Sequence, residues 1–485
     1  MVRSILHELG PSLSSEIVAR LCAEGVTCEA ARQRVCRAGR TVNRLRSIRF
    51  PNRETFLFLS NQFGTKEFQD RLAGAMKTTG SAYGRALLGI EARGGVLSDS
   101  DFPIASGLPV SRARGQLQHA FVKEKLIEVG LISTLDTPDG PFIVLYGHGE
   151  IDAHRRAVLI VEDIILGAMK SWLVKLGWTS SNAPALRSGG SPQFGQFRWD
   201  LVAPTYLQGM RSYSNGRPVP GFIVADMILE TEIDQEHLRP FFSKCDVLTN
   251  QRRATRFQSM FIGDSFTPDA LYELRARGCI VARPETIFGH DVSEQLKELV
   301  STVEHAAAAI ANNPAKAFEL VRKISRLEGA TLNLRGVVLE LLAGHLFKLL
   351  GYQIDIRQRV FSEQNEQAEI DIKATSRQEV VCVECKGKSP GVLVNAEEIT
   401  KWVEISLPRI KSWLSLAESL PAKKRFEFWS STGYTAEATE LILNVTANHR
   451  KQPISFLGGE HILQRLRGQN ETALVNMFRE QFAYS

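Results

Sequence analysis

The feature that most constrains the fold is the segment Glu379-Val-Val-Cys-Val-Glu-Cys-Lys386, an apolar run that ends in charged residues. Its valines predict a β-strand that is buried in the middle of a sheet. Side chains two residues apart on a strand point to the same face, so Glu384 and Lys386 would lie side by side. The alternative is a solvated edge strand, which the valines disfavour, and an unpaired charge in a buried strand is costly. The segment therefore predicts a functional site.

Two further acids precede this strand. Asp371 ends the strand-like segment Glu369-Ile-Asp371, and Glu340 lies on an amphipathic helix predicted over 336–350. Asp371 and Glu384 on adjacent strands could bind one divalent cation through their oxygens, with Lys386 beside a water or phosphate. Hydrolysis of a phosphodiester needs such a metal site together with positive charge against the developing phosphorane. Glu340, Asp371, Glu384 and Lys386 are thus the candidate catalytic residues.

These residues resemble the motif of the PD-(D/E)XK nuclease superfamily, which has the restriction-endonuclease-like fold. The resemblance covers about 333–465, with Ile370 at the position of the proline in the family's name. It implies a Mg²⁺-dependent nuclease, with Mn²⁺ as a possible substitute. By this resemblance Asp371, Glu384 and the carbonyl of Cys385 would bind the metal, Lys386 would orient the attacking water, and Glu340 would support the metal or its hydration shell.

Cys382 and Cys385 form a C-x-x-C pair, which raises zinc binding as an alternative. Residues three apart on a strand face opposite sides of the sheet, so we expect core cysteines instead. The chain has seven scattered cysteines, which is typical of a reducing compartment. The most apolar stretch, over 157–178, contains four charged residues and is expected to be a buried helix rather than a membrane span. These features predict a cytoplasmic protein without a membrane segment.

The order of predicted elements in 333–465 also occurs between 153 and 290, which indicates an internal duplication. Two unrelated α/β domains are the alternative. Asp200 would take the place of Asp371, whereas Met227 stands at the position assigned to Lys386 when Val224 is aligned with Val383. We therefore expect the first copy to be degenerate and without catalytic activity.

The N-terminal segment is rich in arginine. Three short helices and a hairpin, Ile48–Phe50 with Phe56–Phe58, are predicted there, which is the element order of a winged helix-turn-helix. The net charge of +6 also permits nucleic acid as a partner. Arginines on the third helix and the wing suit contact with phosphate and guanine. The alternative is a helix that packs on the next domain. The candidate DNA-binding residues are Arg32, Arg34, Arg37, Arg40, Arg44, Arg46 and Arg49.

The sequence thus predicts a multidomain protein of α+β and α/β class. Tandem winged helix-turn-helix domains would be followed by two restriction-endonuclease-like α/β domains, of which the first is degenerate. The predicted boundaries are 1–62 and 63–149 for the winged helices, 150–290 for the degenerate domain, 291–332 for a helical linker and 333–485 for the nuclease domain.

The function predicted from this layout is a Mg²⁺-dependent endonuclease that cuts double-stranded DNA, in restriction or another defence against foreign DNA. The expected assembly is a homodimer. The chain has no G-x-x-x-x-G-K-[ST] motif for nucleotide binding, so the possibility of a separate ATPase or helicase subunit stays open. Two alternatives remain. One is a non-catalytic DNA-binding regulator or transposition accessory protein, and the other is a nuclease for RNA or branched DNA.

Overall fold

The structure is a computed structural model of the 485-residue chain. It describes residues 1–39, 41–111, 116–137, 140–149, 152–190, 192–214, 216–251, 255–325, 331–417, 420–421, 423–448, 453–469 and 471–482. The chain divides into two compact units. The first unit comprises Met1–Leu135, Pro141–Glu150 and Trp178–Arg283, and the second comprises Asp136–Gly140, Ile151–Gly177 and Pro284–Ser485. The protein is therefore a multidomain protein of mixed α/β class.

The first sixty residues form three helices and a small antiparallel sheet. The elements are α1 (Val2–Leu9), β1 (Ser12–Leu13), α2 (Ser14–Ala23), α3 (Cys28–Cys36), β2 (Asn43–Arg44) and β3 (Phe56–Phe58), with strand order β1-β3-β2. The predicted hairpin strand over 48–50 is wrong, because β3 pairs with Asn43 and Arg44 instead. Ile48 and Phe50 are buried as core side chains outside any strand, which explains the misleading apolar alternation.

After one additional helix, the next segment repeats the α-β-α-α-β-β order of the first sixty residues. Its elements are α4 (Lys66–Thr78), α5 (Ala82–Glu91), β4 (Val96–Ser98), α6 (Phe102–Ser106), α7 (His119–Glu128), β5 (Ile132–Thr137) and β6 (Gly140–Leu145). The strand order is β4-β6-β5, so β5 and β6, which are consecutive in the chain, are neighbours in the sheet. Phe68, Leu72 and Phe102 are fully buried in the core of this segment.

The remainder of the first unit contains a five-stranded sheet, called sheet I. Its strands are β7 (Ala185–Leu186), β10 (Leu201–Thr205), β13 (Gly221–Ile233), β14 (Phe257–Phe266) and β15 (Ile280–Ala282), in that order across the sheet. Helices α9 (Gln235–Thr249) and α10 (Pro268–Ala276) connect the last three strands, and two short hairpins complete this region: β8 (Gln193–Phe194) with β9 (Phe197–Arg198), and β11 (Ser212–Ser214) with β12 (Arg217–Val219). Trp199, Phe241 and Phe261 fill its core.

The second unit begins with helices. They are α8 (Ala153–Lys175), α11 (Pro284–Phe288), α12 (His290–Glu304), α13 (Ala306–Asn312), α14 (Pro314–Ser325) and α15 (Thr331–Leu349). Helix α8, predicted to open the degenerate domain, belongs to the second compact unit, whereas sheet I belongs to the first. A cut between the units falls at Glu150/Ile151, next to the predicted boundary at 150, but the residues after it, 151–177, group with the second unit and not with sheet I.

The second unit also contains a five-stranded sheet, called sheet II. Its strands are β16 (Gln353–Phe361), β17 (Gln367–Thr375), β18 (Glu379–Lys386), β19 (Lys423–Ser430) and β20 (Ile454–Leu457), in that order. The helices are α16 (Ala396–Lys401), α17 (Leu407–Leu416), α18 (Ala436–Asn448), α19 (Gly459–Arg467) and α20 (Thr472–Phe482). A π-helical turn over Trp402–Ser406 divides α16 from α17 just before Pro408, whose missing N–H interrupts the regular helical hydrogen bonding. Strand β16 was not predicted.

Sheets I and II have the same connectivity. In each sheet the first two pairs of neighbouring strands are antiparallel, and the last two pairs are parallel. Strand β18 is central and almost wholly buried, as its valines predicted. In the described part of the chain, no helix combines the length and apolarity needed to span a bilayer.

Candidate active site

The end of strand β18 and the middle of β17 border a small cavity. Its volume is about 170 Å³, and Glu369, Asp371, Glu384 and Lys386 contribute to its lining. The antiparallel register pairs Ile372 with Val383, which brings Asp371 alongside Glu384. The backbone N–H of Cys385 donates to Asp371 Oδ2 at 2.7 Å and fixes that carboxyl group. Three of the four predicted catalytic residues therefore meet at one cavity.

Lys386 lies beside Glu384, as their spacing predicted. Its Nζ donates to Glu384 Oε1 at 2.7 Å. The side chain of Lys386 is 34% exposed and that of Glu384 is 15% exposed, so the lysine reaches toward the cavity mouth while the acid stays inside. Their ion pair leaves an ammonium group at the edge of a cavity lined by carboxylates.

The carboxyl group of Asp371 is in an unfavourable environment for a negative charge. Burial raises its pKa well above the usual range, and the neighbouring charges of Glu384 and Glu340 raise it further. Lys386 and the N–H of Cys385 oppose this shift only in part. Asp371 borders the cavity and so retains some accessible surface, although protein atoms crowd around it. A bound cation would relieve this repulsion between like charges.

Glu340 is held by an arginine that the sequence analysis missed. Arg357 donates from Nε to Glu340 Oε2 at 2.6 Å and from Nη2 to Oε1 at 3.0 Å. Both side chains are largely buried. Arg357 lies in β16 with a φ of 55°, in the left-handed region that non-glycine residues rarely adopt. The register of β16 skips Arg357 between Ile356 and Gln358, which places this irregularity opposite Asp371. Strain of this kind is concentrated at functional sites.

Glu369 is a second missed residue. It lines the cavity two residues before Asp371 and forms an ion pair with Arg156 of helix α8, with both side chains 11% exposed. On another wall, Lys388 donates to Glu398 at 2.6 Å. Nothing in the sequence signals the pairing of Arg156 with Glu369, because only the tertiary fold brings α8 to the cavity.

The residues at the cavity fit a hard divalent cation in their chemistry. Carboxylate oxygens are the ligands that Mg²⁺ prefers, and here two of them come from neighbouring strands. In the described part of the chain, no group of three or more His, Cys, Asp or Glu side chains is arranged to hold a metal ion. A site here therefore depends on Asp371 and Glu384, with further oxygens from the backbone or water.

The two cysteines of β18 are buried. Burial raises the pKa of Cys382 to about 12 and that of Cys385 well above its usual range. Zinc requires thiolate ligands, so neutral core thiols argue against the C-x-x-C alternative. The contribution of Cys385 to the site is its backbone.

Sheet I carries an equivalent pair of acids. Leu201 pairs with Ala225, which brings Asp200 alongside Asp226, and the N–H of Met227 donates to Asp200 Oδ2 at 2.8 Å. These contacts match those of Asp371, Glu384 and Cys385 in sheet II. The alignment used in the sequence analysis was therefore wrong by one residue. By the strand register Asp226 corresponds to Glu384, and Ile228, rather than Met227, corresponds to Lys386.

Cations surround the acids of sheet I. Arg93 and Arg187 each contact Asp200 at 3.2 Å, and Lys244 Nζ lies 2.6 Å from Asp226 Oδ2. Lys244 also donates to the carbonyl of Arg198 and packs 4.0 Å from the ring centroid of Trp199. Burial raises the pKa of Asp226 to about 6 and lowers that of Lys244, and the ion pair opposes both shifts. The cluster is closed and internally neutralised.

The predicted DNA-binding arginines differ in their environments. Arg32, Arg34, Arg37, Arg46 and Arg49 are exposed, and Arg40 lies outside the described residues. Arg44 donates to the carbonyls of Val35 and Cys36 at 2.9 and 2.7 Å, so it caps the C-terminal end of helix α3. This contact gives Arg44 a structural role that the sequence did not indicate.

Comparisons with known proteins give little guidance. No protein-family model matches the chain, and no curated protein matches it. Among solved structures, the chain has a weak similarity to the structure of restriction endonuclease FokI. The sequences are 13% identical, the alignment covers 94% of this chain and 82% of that one, and the TM-score is 0.20. A similarity of this strength supports no conclusion about fold or function, so the function is argued from the site itself.

Proposed function

We propose that this protein is a Mg²⁺-dependent endonuclease that hydrolyses phosphodiester bonds of double-stranded DNA at the cavity of sheet II. The observation that carries the proposal is the meeting of Asp371, Glu384 and Lys386 at one cavity, with crowded like charges that raise the pKa of Asp371. Strongly perturbed acids in a cleft are typical of catalytic sites. The residues also match the PD-(D/E)XK motif.

In this proposal Asp371 and Glu384, with the carbonyl of Cys385, hold the metal. A bound Mg²⁺, or Mn²⁺ in its place, would supply positive charge against the phosphate and favour deprotonation of the attacking water. Lys386 orients that water and adds its ammonium charge beside the scissile phosphate. Glu340 supports the site from α15, where the two hydrogen bonds from Arg357 hold its carboxylate in place.

DNA would be recognised by the N-terminal segments. The order α1-β1-α2-α3-β2-β3 supports a winged helix-turn-helix, and the same order in 63–149 supports a second one. Exposed Arg32, Arg34 and Arg37 on or just after α3 are suited to phosphate and guanine contacts in a major groove. We keep 1–62 as the proposed target-recognition domain and a homodimer as the proposed assembly, with defence against foreign DNA as the proposed role.

Sheet I is proposed to be a degenerate copy of sheet II. The shared strand order and the equivalent Asp200–Asp226 pair support a duplication. The replacement of Lys386 by Ile228 and the internal cations support a loss of catalysis. This copy would contribute shape or DNA contacts rather than chemistry.

The test is cleavage of supercoiled plasmid, with and without Mg²⁺, by the purified full chain. Lys386→Ala and Asp371→Asn should reduce the rate by about 10³-fold or more, because each removes a group proposed to act on the phosphate or metal. Lys423→Ala is the matched control. Lys423 lies on β19 opposite Glu379, at the other end of the strand pair from Lys386, and is 67% exposed. This control should cut at the wild-type rate.

Cleavage by Lys386→Ala and Asp371→Asn at the control's rate would refute the site. Methylated and unmethylated plasmids, single-stranded RNA and a branched DNA junction complete the substrate panel. If the protein cuts RNA or the junction in preference to duplex DNA, the proposed substrate changes to that nucleic acid. The proposed catalytic residues stay the same.

A non-catalytic DNA-binding protein remains the second candidate. The observation that favours it is the ion pair between Lys386 and Glu384, which could be structural. Tight, salt-dependent DNA binding by the wild type, without cleavage under any metal condition, would support this alternative.

A further inference from the structure

Two cysteines contact each other in the N-terminal segment. Cys22 lies in the last turn of helix α2, and Cys28 is the first residue of α3. The Sγ of Cys22 donates to the Sγ of Cys28 at 2.9 Å. A disulfide bond is about 2.0 Å long, so the two sulfurs need to approach by only about 0.9 Å.

The turn between the helices holds this pair in place. The N–H of Gly25 donates to the carbonyl of Cys22 at 3.1 Å, and the N–H of Val26 donates to that of Leu21 at 3.1 Å. Thr27 caps α3 by accepting from the N–H of Ala30. These hydrogen bonds hold the backbone of the turn, and so the two positions that carry the sulfurs, close together.

The pair is also open to reagents. Cys28 is exposed, and both cysteines line a surface cavity of about 550 Å³ together with Arg32 and Cys36. The hydrogen bond that Cys22 donates to Cys28 raises the pKa of the Cys22 thiol.

We propose that Cys22 and Cys28 form a redox modification site, in which a hydroperoxide converts the thiol pair into an intrachain disulfide. The Cys28 sulfur attacks one oxygen of the hydroperoxide, an S–O bond forms, the O–O bond breaks, and an alcohol or water leaves. The Cys22 sulfur then attacks the Cys28 sulfur. An S–S bond forms, the S–O bond breaks, and the hydroxyl leaves as water with the Cys22 proton. The two thiols together lose two electrons, which reduce the peroxide.

This inference does not depend on the nuclease site. It places a reversible covalent bond at the start of the helix that carries Arg32 and Arg34, next to the proposed DNA-binding surface. The four cysteines outside this segment differ, because Cys279, Cys382 and Cys385 are buried and burial raises the pKa of Cys245.

The test exposes the reduced full chain to hydrogen peroxide, alkylates the remaining thiols and maps the peptides by mass spectrometry. The wild type should lose about 2 Da, the mass of two hydrogen atoms, and yield a Cys22–Cys28 linked peptide that a dithiol reverses. Cys36→Ser is the matched control, because Cys36 is exposed and lines the same cavity. It should form the same link.

Cys22→Ser should stop at the sulfenic acid of Cys28, which a cyclic 1,3-diketone traps, whereas the wild type should give little adduct. A link from Cys28 to Cys36, a link only between chains, or full alkylation of Cys22 and Cys28 after peroxide treatment would each overturn the proposal. The wild-type result alone decides the matter if the Cys22→Ser chain does not fold.

Discussion

Sheets I and II place equivalent acids at the same point of the same strand arrangement, yet the surroundings of those acids are opposite. In sheet I, two arginines and a lysine neutralise Asp200 and Asp226 in a closed, buried cluster. In sheet II, Asp371 lies beside Glu384 at a cavity, and burial together with the charges of Glu384 and Glu340 raises its pKa well above the usual range. The acids of sheet I therefore stabilise the fold, whereas those of sheet II are held in an unfavourable state that a ligand could relieve.

The difference comes from residues outside the shared strands. Lys244 lies on helix α9, and Arg93 comes from the segment after α5. In sheet II, Arg357 pairs with Glu340. The paired, buried cluster of sheet I resists change, while the site of sheet II trades stability for function.

The largest expected effect is on the folding of sheet I. Asp226→Ala leaves Lys244 buried without its partner, so the free energy of unfolding should fall by about 3–5 kcal/mol. Glu384→Ala should cost about 1 kcal/mol or less, because Lys386 can turn to solvent. Denaturant unfolding of both variants measures the contrast.

Equal losses in the two variants would contradict the proposed difference between the sheets. The double variant Asp226→Leu with Lys244→Met provides a further check. It should recover much of the stability lost in Asp226→Ala, because no charge then remains unpaired at that contact.

The second prediction concerns divalent metal. Mg²⁺ or Mn²⁺ at about 100 times its dissociation constant should stabilise the wild type by about 2.7 kcal/mol. Asp371→Asn should remove this stabilisation, since it weakens the metal site of sheet II. Asp200→Asn should retain it, although its starting stability is lower. Calorimetry with and without metal distinguishes the two variants. If only Asp200→Asn loses the metal stabilisation, the metal site belongs to sheet I and not to sheet II.

The third prediction concerns the same acid without metal. Asp371→Asn should raise the free energy of unfolding at neutral pH by about 1–2 kcal/mol, as is common when a functional site is relaxed. The folded pKa of Asp371 is raised, so the folded state binds its proton more tightly than the unfolded state. The wild type should therefore lose stability as the pH rises from about 4 through the raised pKa.

That pH-dependent loss should be smaller in Asp371→Asn, which has no proton to release at this position. Unfolding curves of the two proteins across this range, in a chelating buffer, provide the measurement. Parallel pH profiles would show that Asp371 is not strained in the absence of metal.

The smallest expected effect is that of Arg357. Arg357→Lys keeps the positive charge but loses the paired hydrogen bonds to Glu340, so cleavage should fall about tenfold and need more Mg²⁺. Arg409→Lys is the matched control, because Arg409 contacts Glu366 in the same unit but does not line the cavity. An unchanged Mg²⁺ requirement in Arg357→Lys would limit Arg357 to a role in folding.

The sequence by itself determined the local features of the fold. The apolar run and valine content of 379–386 predicted β18 with the bounds that the structure has. The spacing of Glu384 and Lys386 determined their shared face, because side chains alternate along a strand. Asp371 was found from the strand-like segment before β18, although that strand continues past it to Thr375.

Only the tertiary structure decided what each acid meets. From positions distant in the sequence, Arg357 reaches Glu340 and Arg156 reaches Glu369. Arg93 and Lys244 reach Asp200 and Asp226 in the same way. The one-residue error in aligning the two copies has the same origin. Strand register depends on hydrogen bonds between strands, such as Met227 N–H to Asp200, and no pattern within a single strand encodes such a bond. Local chemistry therefore identified the acids, whereas the packing around them decides whether their charge is neutralised or left available.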